Sequence, residues 1–123
     1  MPQTQVLGIS VDEPLDVLKN NVARLATETA EFLALPFKFT SADIAANADY
    51  IGGGYAIMGE RERETIRLLA RLEGMLVDPV YTGKAFGGMI DLIRQGIIGK
   101  DERVLFWHTG GQAALFAYAD QLV

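Results

Sequence analysis

Apolar residues in this chain occur in two patterns, short continuous blocks and helical spacings. Val6-Leu7-Gly8-Ile9-Ser10-Val11 is a nearly unbroken apolar run, the pattern of a strand buried on both faces. Asp12 follows as a candidate cap, with Glu13 and Pro14 suited to a first helical turn. Leu18, Val22, Leu25 and Phe32 then recur at helical spacing, and Pro36 predicts the end of that helix near Leu35. Phe37 to Thr40 reads as a short strand, whereas Ala42 to Tyr50 has no period. Gly52-Gly53-Gly54 before Tyr55 predicts a loop in which backbone approaches something closely.

A strongly amphipathic helix is predicted over Glu60 to Leu76, with Ile66, Leu69, Leu72 and Leu76 on its buried side. Asp78-Pro79 stops it, because the residue before proline is pushed out of helical geometry. Thr82 is the candidate N-cap of a helix from Gly83 to about Arg94, with Gly96 near its end. Val104-Leu105-Phe106-Trp107 reads as another buried strand, His108 to Gly111 as a turn, and Gln112 to Leu122 as a last helix. The order β-α-(β)-α-α-β-α predicts an α/β fold with a parallel sheet and right-handed crossovers.

Composition narrows the function classes. The apolar fraction is 50%, high for a short chain, and implies either a compact Leu/Ala-rich core or apolar surface that needs a partner. A net charge of −5 without a basic run disfavours nucleic acid and anionic membranes. With no cysteine and one histidine, thiolate chemistry is removed and a metal site is disfavoured. No apolar run reaches spanning length and the first residues do not resemble a signal peptide, so the cytoplasm is the default location.

Two motifs carry candidate chemistry. Asp78-Pro79-Val80-Tyr81-Thr82-Gly83-Lys84 and Phe106-Trp107-His108-Thr109-Gly110-Gly111 each place hydroxyls beside glycines where a helix begins. Ligands of open parallel sheets gather outside the carboxyl ends of strands, and Thr109-Gly110-Gly111 fits such a position; a purely steric turn is the plainer reading. His108 is either an acid/base or a hydrogen-bonded packing residue, the second being favoured. Lys84 opposes the helix dipole, so it either pairs with a carboxylate such as Glu73 or Asp78, the safer expectation, or faces an anionic ligand. Tyr55 is a site residue on its glycine loop or an aromatic anchor. The Glu60 to Glu64 charge alternation reads as a solvated helix start.

Taken jointly, Gly52 to Tyr55, Glu73-Gly74, Asp78 to Ala85 and His108 to Gly111 resemble the D-cysteine desulfhydrase and 1-aminocyclopropane-1-carboxylate (ACC) deaminase family. These are pyridoxal-phosphate (PLP) enzymes of the tryptophan synthase β-like fold, a three-layer architecture with helices flanking a parallel sheet. The resemblance runs from Val6 to Tyr118 and implies that residues 1–123 form one partial domain, about the last third of a family member and part of its large cofactor domain. It implies catalytic roles for Tyr55 and Tyr81 near the substrate. It also implies cofactor contacts from Thr82, Thr109 and Gly110, with Thr109 beside the pyridine nitrogen and no metal involved.

The deaminase branch typically has Glu in place of Thr82 and Leu in place of Thr109. A carboxylate there would keep the ring nitrogen protonated and strengthen the electron sink; two hydroxyls suit β-elimination of a good leaving group such as thiolate. The resemblance therefore implies a D-cysteine desulfhydrase-like lyase, converting D-cysteine to pyruvate, sulfide and ammonia. An ACC deaminase fragment, or a non-catalytic binding module that kept the fold, is the alternative. The family's aldimine lysine, Ser-Asn motif and small domain lie in its N-terminal part, and Lys19, Lys38, Lys84 and Lys100 do not match that lysine. The expectation is a chain inactive by itself that self-associates or binds a complementary N-terminal chain.

Overall fold

The computed structural model describes residues 4–122. Two short parallel strands, β1 (Leu7–Ile9) and β2 (Ala45–Asn47), are joined by helix α1 (Leu15–Phe32) and a 3-10 segment (Ser41–Asp43). Leu7, Gly8 and Ile9 lie opposite Ala45, Ala46 and Asn47. Helices α2 (Glu60–Leu72) and α3 (Thr82–Arg94) follow, then 3-10 turns over Gln112–Tyr118 and a last helical turn, α4 (Ala119–Leu122). The class is α/β with a parallel sheet, as the periodicity predicts.

The core sits under the second half of the chain. Met58, Ile66, Leu69 and Val77 form its buried centre, with Phe86, Leu115, Tyr118 and Leu122 packed against them. α3 packs through small residues: a Cβ at Gly87 would lie 2.9 Å from Thr65 Oγ1 of α2, and one at Gly88 would lie 3.0 Å from the ring of Tyr50, in the loop before α2. Tyr50 is buried there, donating to Asp91 Oδ2 at 3.1 Å, with the Arg61 guanidinium 5.1 Å from its ring centroid. Glu62 is also buried, its carboxylate accepting the Gly59 N–H at 2.6 Å. The charge alternation at 60–64 is a solvated helix start, with Glu60, Arg61 and Glu64 exposed, except that Glu62 turns inward to hold the Gly59 N–H.

Several expectations are corrected. Phe37 to Thr40 is not a strand; the second strand is Ala45–Asn47, in the stretch without a clear period. Its alternation is too short to register. α2 ends at Leu72, and Leu72 and Leu76 are exposed. The Glu73 N–H still bonds the Leu69 carbonyl, and the left-handed Gly74 (φ 63°) follows. Asp12 does not cap α1, whose N-cap is Pro14. α1 closes where Ala34 turns left-handed (φ 53°) and the Leu35 N–H returns to the Ala30 carbonyl at 2.8 Å.

The largest correction concerns strand burial. Val104 to Trp107 forms no ladder, and Leu105 and Trp107 are 85% and 79% exposed. β1 is paired on one edge only and is not buried on both faces; Val6 beside it is 82% exposed. A continuous apolar run reports what a strand needs from both sides. Here the described residues supply one side. Gln112 to Leu122 is likewise not one helix but 3-10 turns leading into α4.

Candidate active site

Asp78 organises the first motif. Its side chain is fully buried, and Oδ2 accepts the N–H groups of Val80 and Tyr81, each at 2.8 Å. Oδ1 accepts the N–H of Thr82 at 2.8 Å and its hydroxyl at 2.7 Å. The Asp78 N–H in turn donates to Thr82 Oγ1 at 3.0 Å. Asp78 therefore satisfies the free donors where α3 begins. Thr82 is the first helical residue, Tyr81 holds the N-cap position, and the expectation that Thr82 caps is corrected. Burial pushes the Asp78 carboxyl up, but the Thr82 hydroxyl and the N–H groups of Thr82, Tyr81 and Val80 outweigh it and hold the carboxyl below its usual range.

The second motif folds onto this carboxylate. Gly111 has φ 94°, and a Cβ there would lie 2.5 Å from Asp78 Oδ1. Gly110, with φ 101°, turns its carbonyl to 3.3 Å from Thr82 Oγ1. His108 fixes the turn from below. Its Nδ1 accepts the Gly110 N–H at 3.0 Å, which leaves Nε2–H to donate to the Leu76 carbonyl at 2.9 Å. Both ring nitrogens are used, as the packing reading predicts. Phe106 continues the seam, its ring edge-on to Phe86 with centroids 4.7 Å apart. Thr109 is exposed between these anchored neighbours.

Tyr55 and Tyr81 meet through their hydroxyls, with ring centroids 5.8 Å apart in an edge-to-face arrangement. The hydrogen bond from Tyr55, followed by burial, raises the Tyr81 phenol above its ordinary value. Both side chains are about half exposed. Tyr55 lies in a tight loop with left-handed Gly52 (φ 65°), Gly54 (φ 114°) and Ala56 (φ 57°). The structure thus joins Thr82 to Gly110 and Tyr55 to Tyr81, and leaves Thr109 on the surface of the same turn.

Lys84 departs from the expectation of an ion pair. Its side chain is fully buried, and Nζ donates to the carbonyls of Ile51 and, at 2.7 Å, Gly54. Among the described residues no carboxylate pairs with it. Asp78 and Lys84 are both singled out in the sequence, but their organising roles are not read from it. An Asp followed by several free N–H groups is the pattern of an Asx turn, so Asp78 had a signal. Lys84 had a signal in its place against the helix dipole, but that signal did not give its partners, which are backbone atoms 30 and 33 residues away.

The sequence profile described as "Pyridoxal-phosphate dependent enzyme" matches residues 1–110. The chain belongs to this family. It is similar to a 1-aminocyclopropane-1-carboxylate deaminase of Burkholderia ambifaria, 41% identical over 116 residues, covering 94% of this chain and 34% of that protein. It is equally similar to a D-cysteine desulfhydrase of Salmonella typhi, 43% identical over 118 residues, covering 96% of this chain and 35% of the relative. A crystal structure of an ACC deaminase homologue superposes with a TM-score of 0.80 at 37% identity, covering 94% of this chain and 34% of that one. The chain therefore spans about a third of the length of the relatives it matches. Among the described residues no helix is long and apolar enough to cross a membrane.

Proposed function

We propose that residues 1–123 form the substrate and ring-nitrogen side of a PLP-dependent, D-cysteine desulfhydrase-like lyase acting in the cytoplasm. The side that would hold the cofactor covalently belongs to the other two-thirds of the fold. The observation that carries this reading is the seam where Thr82 of the first motif meets Gly110 of the second, with Tyr55 of the glycine loop brought against Tyr81 beside it.

The residues at the seam fit a pyridine ring. Both Asp78 oxygens are filled, so no free carboxylate faces the turn. What remains are neutral hydroxyls and two glycines whose left-handed backbone carries no side chain to obstruct a flat ring. Thr109 would hydrogen-bond the ring nitrogen. Thr82 gives its single proton to Asp78, so toward that nitrogen it would offer a lone pair backed by a carboxylate. Gly110 would support the ring through close backbone approach. When bound, PLP supplies the electron sink for carbanion character at the substrate α-carbon. Tyr55 and Tyr81 share one hydrogen bond between two hydroxyls, so one phenol proton stays free to orient the substrate or to serve a leaving group.

The same chemistry separates the branches. Hydroxyls rather than a free carboxylate at the ring nitrogen suit expulsion of thiolate from D-cysteine. Opening a cyclopropane asks for a stronger sink. The second reading, an ACC deaminase, is favoured by the 41% identical Burkholderia enzyme and by the ACC deaminase homologue structure. The test mixes the purified chain with the complementary N-terminal two-thirds of a D-cysteine desulfhydrase. Sulfide release from D-cysteine is expected from the mixture, with neither sulfide release nor a borohydride-fixable visible band from the chain alone. Ammonia from ACC without sulfide from D-cysteine would reverse the branch, and sulfide release by the chain alone would overturn the half-site reading.

A further inference from the structure

The fully buried Lys84 is the one charged group at the seam whose role the reading above does not use. Lys84 lies in the first turn of α3, three residues after Tyr81. A cation there works against the helix dipole, and no carboxylate pairs with it among the described residues. What it has instead is the loop. The carbonyls of Ile51 and Gly54 both point at Nζ, and Gly52 lies close enough that a Cβ on it would be 3.8 Å from that nitrogen. The loop is curled around the ammonium.

That curl has little else to hold it. The Gly54 N–H to Ile51 carbonyl and Ile57 N–H to Gly54 carbonyl contacts are long, at 3.4 and 3.3 Å. Three of its residues take left-handed backbone, one of them an alanine. Its further hydrogen-bonded anchors lie toward its end, the Tyr55 hydroxyl on that of Tyr81 and the Tyr118 hydroxyl on the Ala56 carbonyl at 2.6 Å. Near its start the Glu62 carboxylate lies beside Gly52. Charge-assisted hydrogen bonds inside a buried site are the strong ones, so the lysine is the principal restraint at the start of the loop.

We propose that Lys84 is a positioning residue: its buried ammonium pins the Ile51–Gly54 loop to the first turn of α3 and thereby sets Tyr55 against Tyr81. One helical turn would then fix both partners of the tyrosine pair, Tyr81 through the backbone and Tyr55 through the lysine. The functional meaning of that pair rests on the lyase reading above; the pin itself does not.

The test uses the whole chain. Lys84→Met should raise amide hydrogen exchange across 52–56 by roughly ten- to a hundredfold while α2 and α3 keep their protection. The chain contains no cysteine, so Lys84→Cys alkylated in denaturant with bromoethylamine installs thialysine at this position alone. Refolding should restore loop protection. The phenol of Tyr81 should titrate closer to 10.0 in Lys84→Met, and adding the same change to Tyr55→Phe should produce no further shift. Unchanged loop exchange in a folded Lys84→Met, or thialysine that refolds without restoring it, overturns the proposal. If Lys84→Met does not fold, NMR of the unsubstituted chain decides. A slowly exchanging Lys84 ammonium coupled to the carbonyl carbons of residues 51 and 54 supports the pin, and its absence overturns it. A pin that holds in a chain giving no sulfide in complementation removes the lyase reading only.

Discussion

The start of α3 and the two apolar runs around β1 and 104–107 answer the same demand for backbone partners in opposite ways. Around Asp78, three backbone N–H groups and a hydroxyl converge on one carboxylate, and Gly111 is packed against it closely enough to exclude a methyl group. Nothing further is needed there. β1 and the Val104 to Trp107 segment instead turn large apolar side chains outward, with Val6, Leu105 and Trp107 each about four-fifths exposed. The first region is locally complete; in the second, β1 pairs with β2 on one edge only and the run at 104–107 has no strand neighbour among the described residues. The contrast teaches that local backbone chemistry and sheet burial are separate requirements: the described residues meet the first at the start of α3 and leave apolar side chains exposed at the second.

The largest expected effect comes from removing the carboxylate. Asp78→Ala leaves buried N–H groups without acceptors and should cost about 3–5 kcal/mol, enough to unfold a marginal chain in urea melts. Asp78→Asn keeps an acceptor and should cost less. A small loss from Asp78→Ala would mean that the helix start is not the complete half of the comparison.

Next come two glycines with similar left-handed backbone. Gly111→Ala should destabilise by about 2–4 kcal/mol, since the methyl group meets Asp78 as well as a strained φ. Gly96→Ala meets nothing within 4 Å and should cost about 1 kcal/mol from the φ of 72° alone. Equal costs would show that backbone strain, not packing against the carboxylate, sets the requirement at Gly111.

Acid should discriminate the regions more gently. The Asp78 carboxyl is held below its ordinary value of 3.8 in the folded chain. Its contribution is therefore fully present above that value and is lost as pH falls through the lower folded value. Asp78→Asn should flatten the loss of stability below pH 3.8, whereas substitutions at Leu105 or Trp107 should leave its slope unchanged.

The smallest effect on folding is expected at the exposed run 104–107. Leu105→Glu and Trp107→Glu should shift monomer stability by only about 0.5 kcal/mol, because these side chains bury little. They should nevertheless weaken self-association and capture of an N-terminal complement in sedimentation at micromolar concentration. A chain that is monomeric at that concentration before substitution would remove the incomplete-sheet side of the comparison.

Much of the architecture was legible in the periodicities. α1, α2 and α3 follow from apolar spacing and from Pro36 and Pro79, since these signals depend on a few neighbouring residues. β2 was not legible, because three residues of Ala-Ala-Asn carry no alternation and become a strand only by lying beside β1. The candidate site divides in the same way. His108 using both ring nitrogens agrees with its packing reading, whereas Lys84 bonding to two carbonyls could not be read from any local pattern.

By itself, the sequence determined the family, the α/β class and the hydroxyl-rich character of the two motifs, because these reside in residue identities and short spacings. Tertiary structure alone decided that Asp78 caps α3 in place of Thr82, that Lys84 holds the Tyr55 loop, and that the strand-like run at 104–107 remains uncovered. The last two depend on which backbone groups and apolar faces come together across tens of residues, which residue order does not record. The Asp78 cap is a contact over two to four residues, where the sequence offers both Asp78 and Thr82 and only the folded geometry chooses between them.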